Sequence, residues 1–378
     1  MLVLDLSRHL PGPLLTRCLR DLGARVIKVE SPSGDPARHM AAGPDGTSPL
    51  FNALNAGKDS VCLDLKAEGG VGVLKALVAK ADVLVESFRP GVMARLGLDY
   101  ETLSEIRPEL IVCSVSAFGQ INPRQARPGH DINFNARSGL LSLIGPQGEV
   151  PTTPGVQIGD VAGGGLFGAM GVLAALLERN ETGRGRHLDV SMTKGSLVFS
   201  HYGYLANGGS IFQVPRGGGP LSGGAPCYRV YETKDGRFMS IGALEPKFFV
   251  SFCNAAGCPE IGAQGLMMGP AGAPVQAKLI EVFKSKTQAE WTALLDEVDC
   301  CVEPVLDVPE ALKDGAVDAA VEEVEGTSVL LTDVGARPRA DQDLTVAQLG
   351  ADARQIFSDL EVSEDLIRVA AESGALPG

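Results

Sequence analysis

The sequence lacks paired cysteine spacings, long apolar runs and an excess of positive charge. Its eight cysteines lie mostly within apolar runs, without the spacing of a zinc site or the density of a disulfide scaffold, so we expect reduced core thiols and no metal centre. No window of about eighteen uninterrupted apolar residues occurs, and the start, MLVLDLSRHLPGP, reaches a charge before a signal-peptide core can form. We therefore expect a soluble protein of the cytoplasm that does not enter a membrane.

Positive charge is scarce, with 33 lysines and arginines against 46 aspartates and glutamates and a formal net charge of −13. This balance argues against generic binding to nucleic acid or to an anionic membrane, because both need a basic face. An anionic ligand must therefore be held by local arginines and lysines. The chain has 378 residues, which is more than one compact domain usually holds, and the length therefore predicts two domains. Its residues are 44% hydrophobic, which is enough to form a core.

From its start the chain alternates strand-like apolar runs with segments of helical periodicity. The run LVLDL is followed by PGPLLTRCLRDLGA, in which Leu15, Cys18 and Leu22 share a helical face, and then by the β-branched run ARVIKVE. The same pattern recurs in SVCLDL, GGVGVLKALVAKA, DVLVESF and ELIVCSVSAFG. It predicts an α/β fold with a Rossmann-like, mainly parallel sheet, and such sheets bind ligands beyond the carboxyl ends of their strands.

The second half of the chain changes character. A small-residue helix is expected from near Asp160, and its three consecutive glycines predict close approach of another backbone or a ligand. Further on, Asp235 and Gly236 stand between two alternating runs and predict a hairpin in a smaller α+β domain. The sequence therefore predicts a large domain over residues 1–195, a linker over 196–224 and a small domain over 225–305. Residues 306–378 are predicted to form a second linker and to return to the large domain.

Three ionisable residues stand in settings that suit proton transfer: His130 in GHDI, Asp160 in IGDVAGGG and Glu245 in GALEPKFF. A histidine acts as base or acid near neutral pH without much tuning. Asp160 is predicted to cap a helix, and the same helix N-terminus can stabilise an oxyanion. Two proton-transfer groups and an oxyanion site suit removal of a proton beside a carbonyl and its return.

Each of these residues also fits a structural role on local evidence. His130 fits a hydrogen-bonded loop histidine, Asp160 a helix cap, and Glu245, before a proline, a surface turn residue. Arg89 likewise fits an ion pair with Glu86. Spacing alone does not decide between these interpretations.

The chain resembles the family III CoA-transferase superfamily over nearly its whole length and in the expected order, through the motifs LDLSRHLPGP, DLGARVIKVE, SGDPAR, LDLK, VLVESFRPGVMARLGL, GHDINF, GDVAGGG, TGRGRHLDVSM and GALEPKFF. Transferases of this superfamily usually carry an aromatic residue where GHD has its histidine. They use the aspartate of the GD motif as a nucleophile. The histidine, the aspartate and the glutamate of GALEP together resemble the 2-methylacyl-CoA racemase branch.

The resemblance implies a reaction that inverts the α-carbon of a 2-methylacyl-CoA thioester. His130 and Asp160 would act from opposite faces, Glu245 would orient His130, and the enolate oxygen would lie against the Asp160 backbone N–H. No metal or separate cofactor is implied, because CoA is part of the substrate. The acyl group stays open among branched fatty acyl, bile-acid and arylpropionyl thioesters.

The resemblance also implies where CoA binds and how chains assemble. Asp131 would lie near the pantetheine, and the adenine and phosphates would contact Arg38, Leu63, Lys66, Ser87, Phe88, Arg89 and Arg95. The family fold is an intertwined, interlocked homodimer, with each active site between the large domain of one chain and the small domain of the other.

Two other functions remain open from the sequence. A CoA transferase would use Asp160 as nucleophile and need a second acid as acceptor. A non-catalytic CoA-binding protein would be stabilised by the ligand without exchanging the α-hydrogen.

Overall fold

The computed structural model describes residues 1–43, 46, 48–212, 214–318, 320–332 and 344–376. Its strands are β1 (Leu2–Leu6), β2 (Arg25–Glu30), β3 (Asp59–Cys62), β4 (Val83–Glu86), β5 (Ile111–Ser116), β6 (His187–Ser191), β7 (Tyr228–Glu232), β8 (Phe238–Gly242), β9 (Val302–Pro304), β10 (Val321–Val324) and β11 (Thr327–Leu330).

The α-helices are α1 (Pro11–Asp21), α2 (Pro49–Asn55), α3 (Gly70–Val78), α4 (Val92–Arg95), α5 (Tyr100–Ile106), α6 (Asp131–Arg137), α7 (Phe167–Thr182), α8 (Met192–Ala206), α9 (Gly209–Phe212), α10 (Pro246–Ala255), α11 (Gly269–Phe283), α12 (Gln288–Leu295), α13 (Val308–Ala311), α14 (Ala353–Asp359) and α15 (Glu364–Glu372). Short 3₁₀ turns lie at Pro36–His39, Leu140–Leu143 and Pro259–Ile261, and a π-helix lies at Gly159–Leu166.

The first compact unit comprises Met1–Ser138, Gly155–Ser196 and Asp318–Gly378. Its described residues form a six-stranded sheet in the order β3-β2-β1-β4-β5-β6, and every neighbouring pair is parallel. The order reverses between β1 and β4, which is the doubly wound arrangement that opens a ligand crevice at the carboxyl ends of those strands. The predicted α/β fold with a parallel sheet is confirmed.

Strands β1 to β5 are covered on both faces, which explains their runs of buried apolar residues. On β1, Leu4 packs into a core with residues of α3, α5, α14 and α15, whereas its neighbour Val3 packs into a second core with α1 and α7. Both side chains are fully buried, and each such burial contributes about 1.5–3 kcal/mol. The C-terminal helices belong to the first core through Ile356 and Ala370.

The glycine-rich stretch after residue 158 forms the predicted helix, but its first part is a π-helix that runs into α7. The reason for the glycines is close packing. A Cβ atom at Gly163 would lie 2.7 Å from the carbonyl oxygen of Met192, at the start of α8. The predicted close approach of another backbone is therefore confirmed. π-Helical turns are rare and are frequent at functional sites.

The helical stretch Gly159–Thr182 is 24 residues long, and by length and composition alone it is apolar enough to cross a membrane. Within the first unit, however, Val172 and Ala175 are buried in the core shared with α1. The opposite face leaves Met170 and Leu177 exposed, at 57% and 70% of their surface. The stretch is thus a core helix with one uncovered apolar face.

The second unit comprises Gly139–Pro154 and Leu197–Val317. It contains the antiparallel sheet β7-β8-β9, and the predicted hairpin joins β7 to β8. Its core stacks Phe252 on Phe283 with ring centroids 5.2 Å apart, beside the fully buried Trp291. The Trp291 indole N–H donates to the Phe283 carbonyl over 2.8 Å, so that the one polar atom of the ring is satisfied.

The units do not coincide with the domain limits expected from the sequence. Residues 139–154, expected in the large domain, group with the second unit, where Arg216 donates to the carbonyl of Pro146 over 3.4 Å. The expected linker at 196–224 contains most of α8 and all of α9. Residues from Asp318 onward return to the first unit.

Candidate active site

Asp160 lies in the first turn of the π-helix and is half-buried. Its pKa is raised to about 7, first by burial and second by the negative charge of Asp131. A carboxyl group with a pKa near neutral pH is present in both protonation states under physiological conditions, and such a group can both take and give a proton.

His130 is the N-cap residue of α6, and its backbone N–H donates to Asn133 Oδ1 over 3.1 Å. The residue is exposed. The next residue, Asp131, accepts a hydrogen bond from the backbone N–H of Asp160 at its Oδ1 atom, over 3.0 Å. This bond joins the segment that carries His130 to the turn that carries Asp160, within the first unit.

Two buried polar residues complete this arrangement. The Asn135 side-chain amide donates to Asp131 Oδ2 over 2.6 Å, and Ser196 Oγ donates to Asn135 Oδ1 over 3.1 Å. Asn135 and Ser196 are both fully buried. We call Asp131, Asn135 and Ser196 the Asp131 network. Sequence reasoning did not identify its last two members, although Asn135 stands four residues after Asp131, on the same face of α6.

The Asp131 network bears on the predicted oxyanion site. The sequence predicts that the Asp160 backbone N–H faces the enolate oxygen, whereas in the structure this N–H donates to Asp131 Oδ1. A substrate oxygen at this position must therefore share the Asp160 N–H with Asp131, or displace Asp131 as the acceptor of that N–H.

Glu245 belongs to the second unit, where it precedes Pro246 at the start of α10 and is exposed. Cys301 lies near it on the turn before β9. Burial and then the charge of Glu245 raise the pKa of the Cys301 thiol.

A cavity of about 320 Å³ lies in the first unit at the carboxyl ends of β1 to β4. Four of the residues expected at CoA line it: Leu63, Lys66, Phe88 and Arg95. Arg8, which sequence reasoning did not assign, also lines it, with its guanidinium 5.1 Å from the centre of the Phe88 ring. The cavity is therefore at the crevice where a doubly wound sheet binds its ligand.

The other expected CoA contacts are placed differently. The Arg38 guanidinium forms two hydrogen bonds with Glu30, of 2.9 and 2.7 Å, and lies 4.0 Å from the ring centre of Phe51. Ser87 Oγ accepts the backbone N–H of Arg8 over 3.0 Å. Arg89 is exposed.

Glu86 is the last residue of β4, is buried, and supports the loop that follows, which contains Ser87, Phe88 and Arg89. One of its carboxylate oxygens accepts the backbone N–H of Phe88 over 2.7 Å, so the carboxylate holds the loop. Burial raises its pKa to about 7, and the charge of Asp189 acts in the same direction. Ser114, which bonds Glu86, also lies 2.9 Å from His187 Nε2, and burial lowers the pKa of that histidine.

Comparison with known proteins gives a consistent family. The family model of CoA-transferase family III matches residues 1–338. The α-methylacyl-CoA racemase of Homo sapiens is 39% identical over 310 residues, which cover 82% of this chain and 78% of that protein. The acetyl-CoA:oxalate CoA-transferase of Acetobacter aceti is 36% identical over 318 residues, which cover 82% of this chain and 81% of that protein.

Solved structures show the same likeness. A crystal structure of a CAIB/BAIF family protein from Brucella suis superposes with a TM-score of 0.81 at 29% identity, and covers 95% of this chain and 98% of that chain. The relatives thus include both of the chemistries that the sequence leaves open.

Proposed function

This chain belongs to CoA-transferase family III and is an enzyme that acts on CoA thioesters; we propose that it interconverts (R)- and (S)-2-methylacyl-CoA thioesters. The observation that carries the proposal is the position of Asp160. Its half-buried carboxyl has a pKa raised to about 7, and its backbone N–H donates to Asp131, which follows His130 directly in the chain.

The reaction removes one proton from the α-carbon and returns one to its opposite face, with no net redox change. Asp160 takes the α-proton, the C–H electron pair passes into an enolate, and His130 returns a proton to the opposite face of the carbon. The thioester is the suitable substrate because its α-hydrogen is more acidic than that of an oxygen ester or a carboxylate. In the reverse direction the two residues exchange roles, so the competent enzyme carries one proton on the His130–Asp160 pair.

Substrate binding is proposed at the cavity of the first unit. Lys66 and Arg95 would offset the charge of the CoA phosphates, and Phe88, with Leu63, would offer adenine an apolar wall. Arg38, Ser87 and Arg89 are proposed at its margin, and Asp131 near the pantetheine. Arg38 is held by Glu30, and it would have to reorient to contact a phosphate directly. CoA is part of the substrate, and the proposed reaction uses no metal or separate cofactor. The proposed location of the enzyme is the cytoplasm.

We further propose that the enzyme is an intertwined homodimer, in which Glu245 of one chain orients His130 of the other. Uncovered apolar surface supports this assembly. In the first unit, α7 exposes Met170 and Leu177, and in the second unit, α8 exposes Tyr202, at 57%, 70% and 68%. Exposed apolar patches of this kind mark interaction surfaces.

A CoA transferase is the second candidate, favoured by the 36% identity to acetyl-CoA:oxalate CoA-transferase. Asp160 would then attack the thioester carbonyl, release CoA as thiolate and form a mixed anhydride, which needs an acceptor acid to complete the cycle. His130 favours the racemase, because the transferase mechanism gives this histidine no proton-transfer role.

The deciding experiment incubates each enantiomer of a 2-methylacyl-CoA separately in deuterated water, without an acceptor acid. We expect wild type to exchange the α-hydrogen and to racemise both enantiomers. His130→Ala and Asp160→Ala should each lose inversion by at least about 100-fold. Because each variant keeps one base, residual exchange should be confined to one enantiomer, opposite in the two variants.

His39→Ala serves as the control for loss of an exposed imidazole and should match wild type. No α-exchange in the absence of an acceptor acid, together with transfer of CoA once an acceptor acid is added, would establish the transferase. Thermal stabilisation by CoA with no reaction in either assay would establish a non-catalytic binding protein.

A further inference from the structure

Both carboxylate oxygens of Asp131 accept a hydrogen bond within the first unit. Its Oδ1 atom accepts the Asp160 backbone N–H over 3.0 Å, and its Oδ2 atom accepts the Asn135 amide over 2.6 Å. These contacts give Asp131 a role toward Asp160 that is separate from any contact with pantetheine.

We propose that Asp131, oriented by Asn135, is a positioning residue that fixes the first turn of the π-helix and so sets where the Asp160 carboxyl meets the substrate. The proposal rests on the proposed racemase function and deepens it. The first N–H groups of a helix have no carbonyl partner within the helix, and a carboxylate is their strongest acceptor.

The surroundings leave this turn little freedom. A Cβ atom at Gly159 would lie 3.0 Å from Ser196 Oγ and 3.1 Å from Asp131 Oδ1. Asn135 is fully buried and cannot exchange its bond to Asp131 for one to water. Hydrogen bonds from buried partners such as Asn135 rigidify the groups that they contact.

The charge of Asp131 adds a second effect. Around the π-helix, α1 presents Pro11 and Leu14, β5 presents Val115, and α8 presents Met192 and Ser196, none of which is charged. Strand β6 also packs against it and carries His187 and Asp189, but neither is a cause of the raised pKa of Asp160. From α6 come the neutral Asn135 and the charged Asp131, and His130 is the titratable residue beside it. The raised pKa of Asp160 has two causes, burial and then Asp131.

The sign of the pH effect follows from the proton count. Because the competent His130–Asp160 pair carries one proton in either direction of the reaction, both directions share one bell-shaped profile of kcat/KM. Removing the negative charge of Asp131 makes ionised Asp160 more favourable and lowers its pKa. Both limbs of the bell therefore move to lower pH.

The test compares Asp131→Asn, which keeps an oxygen for the Asp160 N–H but removes the charge, with Asp131→Ala, which removes both. For Asp131→Asn we expect the bell to move to lower pH by up to about one unit, with a smaller fall in kcat than in Asp131→Ala. For Asp131→Ala we expect kcat to fall by about tenfold to a hundredfold, with KM changing much less.

Two further variants complete the set. Asp365→Asn removes one carboxylate charge from an exposed position on α15, where the side chain is 90% accessible, and should leave the profile unchanged. Asn135→Ala leaves Asp131 in place without its orienting amide and should lower kcat more than KM. It keeps the proposal testable if Asp131→Ala does not fold.

The outcomes separate this proposal from the racemase function. Absence of α-exchange in wild type would refute the function alone. The effect on Asp160 is then measured directly, by carboxyl ¹³C NMR titration of aspartate-labelled protein with the Asp160 signal assigned from Asp160→Asn. An Asp160 titration that is the same in wild type and Asp131→Asn, or an unchanged kcat in both Asp131→Ala and Asn135→Ala, would overturn the positioning role.

Discussion

Replacing Gly159 with alanine tests the packing of the proposed active site. A Cβ atom at this position would lie 3.0 Å from Ser196 Oγ, 3.1 Å from Asp131 Oδ1 and 3.2 Å from Asn135 Oδ1. All three distances are shorter than an ordinary van der Waals contact, and all three atoms belong to the Asp131 network. The methyl group must therefore displace at least one buried polar side chain or the turn that carries Asp160.

Two opposing effects decide the sign. In an open helical position, alanine is more stabilising than glycine by up to about 1 kcal/mol. Forcing an additional methyl group into a packed site is destabilising by about 1–3 kcal/mol. We expect the second effect to exceed the first at Gly159, and we expect kcat to fall by about tenfold or more, because small misplacements of a reacting group reduce the rate strongly.

Gly171 provides the matched control on the same helical stretch. Its added Cβ atom would lie 3.7 Å from Leu188 Cδ1, an ordinary contact, so alanine there should stabilise the protein or leave it unchanged. Both variants are compared by thermal unfolding followed by circular dichroism and by racemisation rate. A Gly159→Ala protein that is as stable and as active as Gly171→Ala would refute the packing argument.

Three other predictions concern the loop, the cavity and the assembly. Glu86→Gln removes a carboxyl whose pKa is raised from 4.5 to about 7 in the folded protein. Because the folded protein binds this proton more tightly than the unfolded chain does, the stability of wild type relative to the variant should fall as the pH rises from 4.5 to about 7. Denaturant titrations that show the same pH dependence for both proteins would contradict this. Phe88→Ala should raise KM for the acyl-CoA at least about fivefold with little change in kcat, since one aromatic wall of the cavity is lost, and an unchanged KM in steady-state kinetics would remove Phe88 from the binding site. Leu177→Glu places a charge on the uncovered face of α7 and should yield monomer in light scattering after size exclusion, whereas an unchanged dimer would locate the interface elsewhere.

The parallel sheet was predictable because its strands are buried on both faces. The strands IVCSVS and VLVE are buried at every position, and each begins with three successive apolar residues, a local pattern that indicates a strand covered on both faces. Strand order is a different matter, because it depends on pairings such as Leu6 with Glu86 that local pattern does not encode.

The candidate site was predictable only in part for a related reason. Asp160 and His130 are recognisable by residue type and motif. The hydrogen bond from Ser196 to Asn135 joins residues 61 positions apart, and nothing in the local sequence of either residue indicates the other. The state of Arg38 is similar, since a basic residue in a loop gives no sign that a carboxylate already holds it.

The chain contains one tryptophan, Trp291, and the structure places it fully buried in the aromatic core of the second unit. Intrinsic tryptophan emission is therefore an optical reporter of that unit alone. Far-ultraviolet circular dichroism reads the helices of both units. A denaturation experiment that records both signals can show, without any label, whether the two units melt together or in sequence.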